Sequence, residues 1–360
     1  MTASSPRPSN SRRPQTRRAP QWVAPVLAAV VAAGATWAVG MTVFKGSLIE
    51  AGQPEAVAQA SDAQKEQWLL GAQLADLDAR AQALAKLSSD KQESAALTAM
   101  ETTLSQGADL LGQLSYDDQP KPQIPAEYSS SAVSDLATDV AELSHSMSLP
   151  PSGDLKQGQK LAQVAFQMNF DARTALEQTE KKQAASLPEP LHGEKAASMN
   201  SAGETDGVAC ISDPSMLVNT PAEIDGPTAE SVSLARALDR GYALDYVLQL
   251  EAARGTSAAA SAIEDQRKEL NDQLDRLRSI WTEGCADLRL PAYQLPEGAL
   301  KNLTKVSSAA SDDFASALLT AAGNTDGQAQ SVASSVAFEV LYSNQSSKKP
   351  QPILNLSSSS

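Results

Sequence analysis

Apolar residues recur along this chain at steps of three and four, the period that gathers them on one face of an α-helix. Leu70, Leu74, Leu77, Ala81 and Leu84 make one such stripe, and Leu97, Met100, Leu104, Leu111 and Leu114 make a second. The break between them, Ser88-Ser89-Asp90, is short enough to force an antiparallel hairpin, with Asp90 placed to cap the second helix. Three prolines between Tyr116 and Tyr128 exclude a helix interior there. Beyond this crossover Val133, Leu136, Val140, Leu143 and Met147 repeat the stripe. After Leu149–Gly153 so do Leu161, Ala165, Met168, Ala172 and Ala175. Helices with one apolar seam each bury it by packing together, so residues 61–183 are predicted to form a four-helix bundle.

Residues 184–226 change character, with Pro188, Pro190, Gly193, Gly203, Gly207 and Pro214 scattered through polar sequence, and read as a linker. The periodicity then restarts. A helix from Pro227 to Gly255 carries Leu234, Leu238, Tyr242, Leu248 and Leu250, and one from Ser257 to Thr282 carries Ile263, Leu270, Leu274, Leu277 and Trp281. A second proline crossover, Leu288–Gly298, leads to helices over Leu300–Ala322 and Gln328–Tyr342, which complete a second bundle over 227–342. Both halves thus share the order hairpin, crossover, hairpin, an internal repeat of architecture that duplication or fusion of independent bundles explains equally. The Ser-, Lys- and Pro-rich tail, 343–360, is expected to fray.

One stretch breaks the amphipathic pattern. Trp22–Phe44 holds 23 residues without a charged side chain, enough to cross a hydrocarbon core of about 30 Å. It reads as a single transmembrane helix between a disordered tail, 1–21, and a linker, 45–60. Arg7, Arg12, Arg13, Arg17 and Arg18 precede it with no acid among them, which puts the N-terminus in the cytoplasm and the helical bundles outside. A cleaved signal peptide is the competing reading, though its apolar core is usually about 7 to 15 residues. Cys210 and Cys285, the only two cysteines, both fall beyond the run, in an oxidising compartment. An antiparallel hairpin over 227–282 returns the chain beside its start, so these two are expected to be joined. Two buried thiols are the alternative.

The formal net charge of −14 excludes nucleic acid as a partner, since a surface of this sign repels phosphates. The sequence offers little chemistry. Glu142-Leu-Ser-His145 matches Glu-x-x-His on a predicted helix, but the only other histidine, His192, lies in the predicted linker, and no metal site is expected. Asp245 is the one acid expected to face the second bundle's core, where burial demands a hydrogen-bond partner, most simply the Tyr342 hydroxyl. Asp117-Asp118 and Asp312-Asp313 read as solvated pairs. There is no Gly-x-Ser-x-Gly elbow and no glycine-rich phosphate loop. Asn302, Asn344 and Asn355 stand in glycosylation sequons that would matter only in a eukaryotic secretory pathway.

The stretch from Leu234 to Tyr342 resembles the actinobacterial ferritin-like domain family of unknown function. The resemblance rests on LARALDRGYALDYVLQLEAARG, on EDQRKELNDQLDRLRSIW and on the Ala292–Pro296 crossover AYQLP. It implies an alanine-rich four-helix bundle. Members often carry Glu-His where this chain has Gly241-Tyr242, and acid-His-Arg where it has Asp265-Gln266-Arg267, so the family's metal chemistry is not expected here. The resulting expectation is an all-α protein of an actinobacterial cell envelope. It sits in the cell membrane through 22–44, is extracytoplasmic beyond it, and binds or scaffolds an envelope protein partner without cofactor or catalysis. A degenerate ferritin-like metal-binding protein or oxidoreductase relative, and a carrier of an apolar ligand between helices, are the alternatives.

Overall fold

The structure, a computed structural model, describes residues 61–112, 124–147, 154–179, 181–192, 207–211, 213–217 and 224–343. The chain divides into two compact units, Met1–Asp62 and Ala63–Ser360. The expected membrane span, 22–44, lies outside the described residues, as do its flanks 1–21 and 45–60. Among the described residues no helix is long and apolar enough to cross a membrane.

The described residues are all-α, as the periodicity implies. They form α1 (Asp62–Leu87), α2 (Lys91–Leu111), α3 (Ser130–Ser146), α4 (Leu155–Thr179), α5 (Lys181–Ser186), α6 (Gly226–Arg254), α7 (Ser257–Arg278), α8 (Leu303–Asn324) and α9 (Gly327–Ser343). Several of their starts follow from side-chain caps that satisfy amides left free in a first turn. Asp90 Oδ1 accepts from the amides of Gln92 and Glu93 at 2.8 and 3.0 Å. Asp225 Oδ1 accepts from Thr228 N–H at 2.8 Å, with Pro227 in the first turn of α6. Asn302 Oδ1 accepts from Lys305 N–H at 3.1 Å, so α8 starts at Leu303 and not at Leu300, which stays 52% exposed on a 3-10 turn.

α7 also ends earlier than its apolar stripe implies, at Arg278 instead of Thr282. Beyond it the backbone changes partner. Val208 N–H donates to the Ile280 carbonyl at 2.8 Å, and Thr282 N–H donates to the Val208 carbonyl at 3.0 Å, an isolated parallel bridge.

Packing centres on two helices. α4 lies against α2, α3, α5 and α8; α8 in turn lies against α4, α6 and α9, and α6 pairs with α7. The expected tandem bundles therefore share one hydrophobic core, which runs unbroken from Leu74 and Phe166 to Leu274 and Phe314. At the α4–α8 crossing the backbones touch. A Cβ on Gly323 would stand 2.0 Å from the Gly158 carbonyl oxygen, and one on Gly158 would stand 2.4 Å from that of Gly323. Asn324, fully buried beside them, donates through Nδ2 to the Leu155 carbonyl at 3.1 Å. The stretch 184–192, expected to open a linker, is instead buried at Ala184, Leu187 and Leu191, because its carbonyls answer donors on the helices around it.

Candidate functional site

Four places hold the polar or reactive side chains a site would need. The first is the end of the α6–α7 hairpin. Cys210 and Cys285 are joined there, with Cα atoms 5.3 Å apart, as expected. The bond closes beside a recess of about 190 Å³ lined by Leu238, Tyr242, Trp281, Gly284, Cys285 and Leu288. Arg289 stacks its guanidinium 4.7 Å above the Tyr242 ring, and the Trp281 indole Nε1 is buried without a hydrogen-bond partner.

The second is Asp245 on α6, buried as expected at 6% exposure, but not bound to Tyr342. Arg267 Nε donates to Asp245 Oδ1 at 2.9 Å, and Gln249 Nε2 donates to its Oδ2 at 2.8 Å. Arg267 also donates to both oxygens of Glu264. Burial works to lower the Arg267 pKa, but the hydrogen bonds and charges of Asp245 and Glu264 outweigh it and raise it. Position i+22 across the hairpin puts Arg267 opposite Asp245, whereas α9 turns Tyr342 toward α4. There its hydroxyl donates to the Phe166 carbonyl at 2.9 Å.

The third joins the two histidines. Leu191 and His192 donate their amides to the carbonyls of Ser144 and His145 at 2.9 and 3.0 Å, which lays 188–192 along the end of α3. The His145 and His192 rings come to 6.1 Å between centroids. His145 Nδ1 donates to the Glu189 carbonyl at 2.7 Å, and Ser334 Oγ on α9 donates to the Pro190 carbonyl at 2.5 Å. Leu191 reaches this contact with φ of +52°, a conformation disfavoured for a branched side chain. Glu142 stays exposed and does not join them. Among the described residues no three His, Cys, Asp or Glu side chains are grouped to hold a metal ion.

The fourth was not foreseen from sequence. Gln167, Asn169 and Asp171 on α4 are buried to 5% exposure or less, with Thr103 of α2 facing Asp171 and Ser144 of α3 facing Asn169. Thr103 Oγ1 donates to Asp171 Oδ2 at 2.7 Å, and Gln167 Nε2 donates to Asp171 Oδ1 at 2.9 Å. No cation pairs with this carboxyl among the described residues. Burial pushes its pKa up to about 6, against the opposing pull of those two hydrogen bonds. One turn on, Arg173 donates to Asn169 Oδ1 and to the carbonyls of Ala184, Leu187 and Pro188. Its guanidinium lies 5.0 Å from the Phe338 ring centroid, and burial lowers its pKa. The sequence did carry a signal: Gln167–Asp171 and Asn169–Arg173 are both i, i+4 polar pairs inside an apolar stretch. A helix enclosed on several sides leaves no solvent face for them.

These arrangements suit fixed structure better than turnover. Asp245, His145, Asn169 and Arg173 each hold partners on neighbouring elements, and of these four places the recess beside the disulfide is the one that joins open space to an exposed reactive bond. No family model matches the chain, and neither a curated protein nor a solved structure does.

Proposed function

We propose that this chain is a binding or scaffolding module of a bacterial cell envelope. In this proposal 22–44 anchors it as a single membrane span with its N-terminus in the cytoplasm, and the helical body stands outside as two four-helix sets in tandem, the second ferritin-like. It recruits an envelope protein and performs no catalysis of its own. The observation that carries the proposal is the Cys210–Cys285 bond. A disulfide persists in oxidising compartments, which agrees with the side of the membrane that the arginine-flanked apolar run assigns to the body. The consumption of Asp245 and His145 by structural hydrogen bonds favours a scaffold over an enzyme.

Membrane fractionation followed by N-terminal sequencing tests the anchor. Retention of the full chain in the membrane fraction, with residues 1–44 intact, is the expected result, and a mature start just beyond the apolar run would replace the anchor with a cleaved leader. Crosslinking in intact cells and mass spectrometry of the attached peptides would identify the partner. Stoichiometric iron or manganese retained by the purified protein would shift the assignment to ferritin-like metal binding.

A further inference from the structure

The disulfide is placed where a reductant can reach it. Cys210 is exposed and Cys285 half-buried, and Cys285 forms part of the recess wall with Tyr242, Trp281 and Gly284. The Thr282 hydroxyl stands beside both sulfurs, 3.5 Å from Cys285 Sγ and 3.9 Å from Cys210 Sγ. Among the described residues, the segment that carries Cys210 is otherwise attached through Val208, Ile211 and the turn Pro214–Leu217 against α6. Val208 makes the two backbone hydrogen bonds to Ile280 and Thr282 and packs its side chain into the edge of the main core. Ile211 rests on a small satellite cluster of Leu155, Ala229 and Val232, apart from the main core. None of the helices of the core is held by the bond, so opening it removes a local attachment and leaves the packing of α4, α6 and α8 as it is.

We propose that Cys210–Cys285 is a reducible latch and that the recess beside it receives the thiols of a dithiol reductant. A thiolate of the partner, seated in the recess, attacks Cys285 Sγ, the sulfur that lines it, forming a mixed disulfide and expelling Cys210 as a thiolate to which Thr282 Oγ1 donates a hydrogen bond. The partner's second thiolate then attacks its own sulfur in the mixed disulfide and releases Cys285. The partner leaves as a disulfide; two electrons and two protons have passed to the chain, and both cysteines end as thiols. A monothiol is disfavoured by the same geometry, because Cys210 stays within reach of the mixed disulfide and closes it again before a second molecule arrives. Reduction removes the covalent tie beside this bridge and opens the Val208 hydrogen bonds to Ile280 and Thr282 to local exchange.

This inference does not depend on the membrane anchor or on the identity of the scaffolded partner. The test uses the full chain, oxidised and without denaturant, exposed to dithiothreitol and, in parallel, to glutathione at equal thiol concentration. Thiol titration follows the bond, and amide hydrogen exchange follows Val208 and Thr282 against Leu318 in the core. Dithiothreitol is expected to yield two thiols per chain and to expose the Val208 and Thr282 amides while Leu318 stays protected, with glutathione leaving the bond closed. Thiols that appear only as Leu318 also exchanges would mean the bond opens by global unfolding, and the latch would be discarded. The chain carrying Cys210→Ser and Cys285→Ser provides the released state without any reductant. It is expected to keep its helices and lose protection at Val208 and Thr282; full protection at both amides would equally overturn the proposal.

Discussion

Asp171 concentrates the unusual electrostatics of this fold in one side chain. It accepts hydrogen bonds from Thr103 and Gln167, yet burial holds its pKa at about 6 against an ordinary 3.8. Because the folded state binds this proton more tightly than the unfolded chain, the contribution to stability is complete below about pH 4. It is lost as pH rises through about 6. A displacement of roughly two units corresponds to about 3 kcal/mol. Denaturant midpoints of the full chain between pH 4 and pH 7 are expected to fall with rising pH, and Asp171→Asn to flatten that slope by removing the titrating group. An unchanged slope in the Asn variant would place the pH dependence elsewhere. Asp245 is buried as deeply but shows the opposite solution, since Arg267 neutralises it across the α6–α7 hairpin.

Among the elements, the crossing of α4 and α8 shows packing overriding helix propensity. A glycine within a helix normally gains up to about 1 kcal/mol when replaced by alanine, and Gly323 stands in the last turn of α8. At Gly323 the added methyl would meet the Gly158 carbonyl at 2.0 Å, closer than any rotamer change relieves, since the clash is with backbone. Gly323→Ala is therefore expected to destabilise the protein by about 2 kcal/mol, read from urea unfolding. Stabilisation by alanine would show that the two helices do not approach this closely. α5 and the turn after it illustrate the reverse case. Six residues cannot sustain a helix alone, and this one is fixed because Arg173 collects the carbonyls of Ala184, Leu187 and Pro188.

Across the whole molecule the shared core predicts one cooperative transition. Trp68 belongs to α1 and Trp281 follows α7, so single-tryptophan variants that keep one or the other report on the two halves of the sequence. Their unfolding curves are expected to coincide, as they must when the core that links the halves melts as a unit. Two separated midpoints would show that each set of helices is stable alone, and would make the α4–α8 contact a docking of finished bundles.

What the sequence determined by itself was local. The period of three and four names the helices, because an amphipathic stripe is written in consecutive residues, and Asp90 caps α2 where a short polar side chain precedes an apolar run. The pairing of Cys210 with Cys285 was legible too, since a hairpin of two long helices must bring its ends together. Tertiary structure decided everything that depends on which face meets which. Asp245 takes Arg267 instead of Tyr342 because rotation about each helix axis, invisible in spacing, sets the partner. α7 stops at Arg278 because the Val208 backbone, some seventy residues earlier, competes for the Ile280 and Thr282 groups. The buried polar row of α4 and the merging of two periodic sets into one core likewise follow from surrounding a helix on several sides. A periodicity assigns each helix one apolar face, and only the assembled packing of α2, α3, α5 and α8 around α4 shows that Gln167, Asn169 and Asp171 at its middle also have nowhere to meet water.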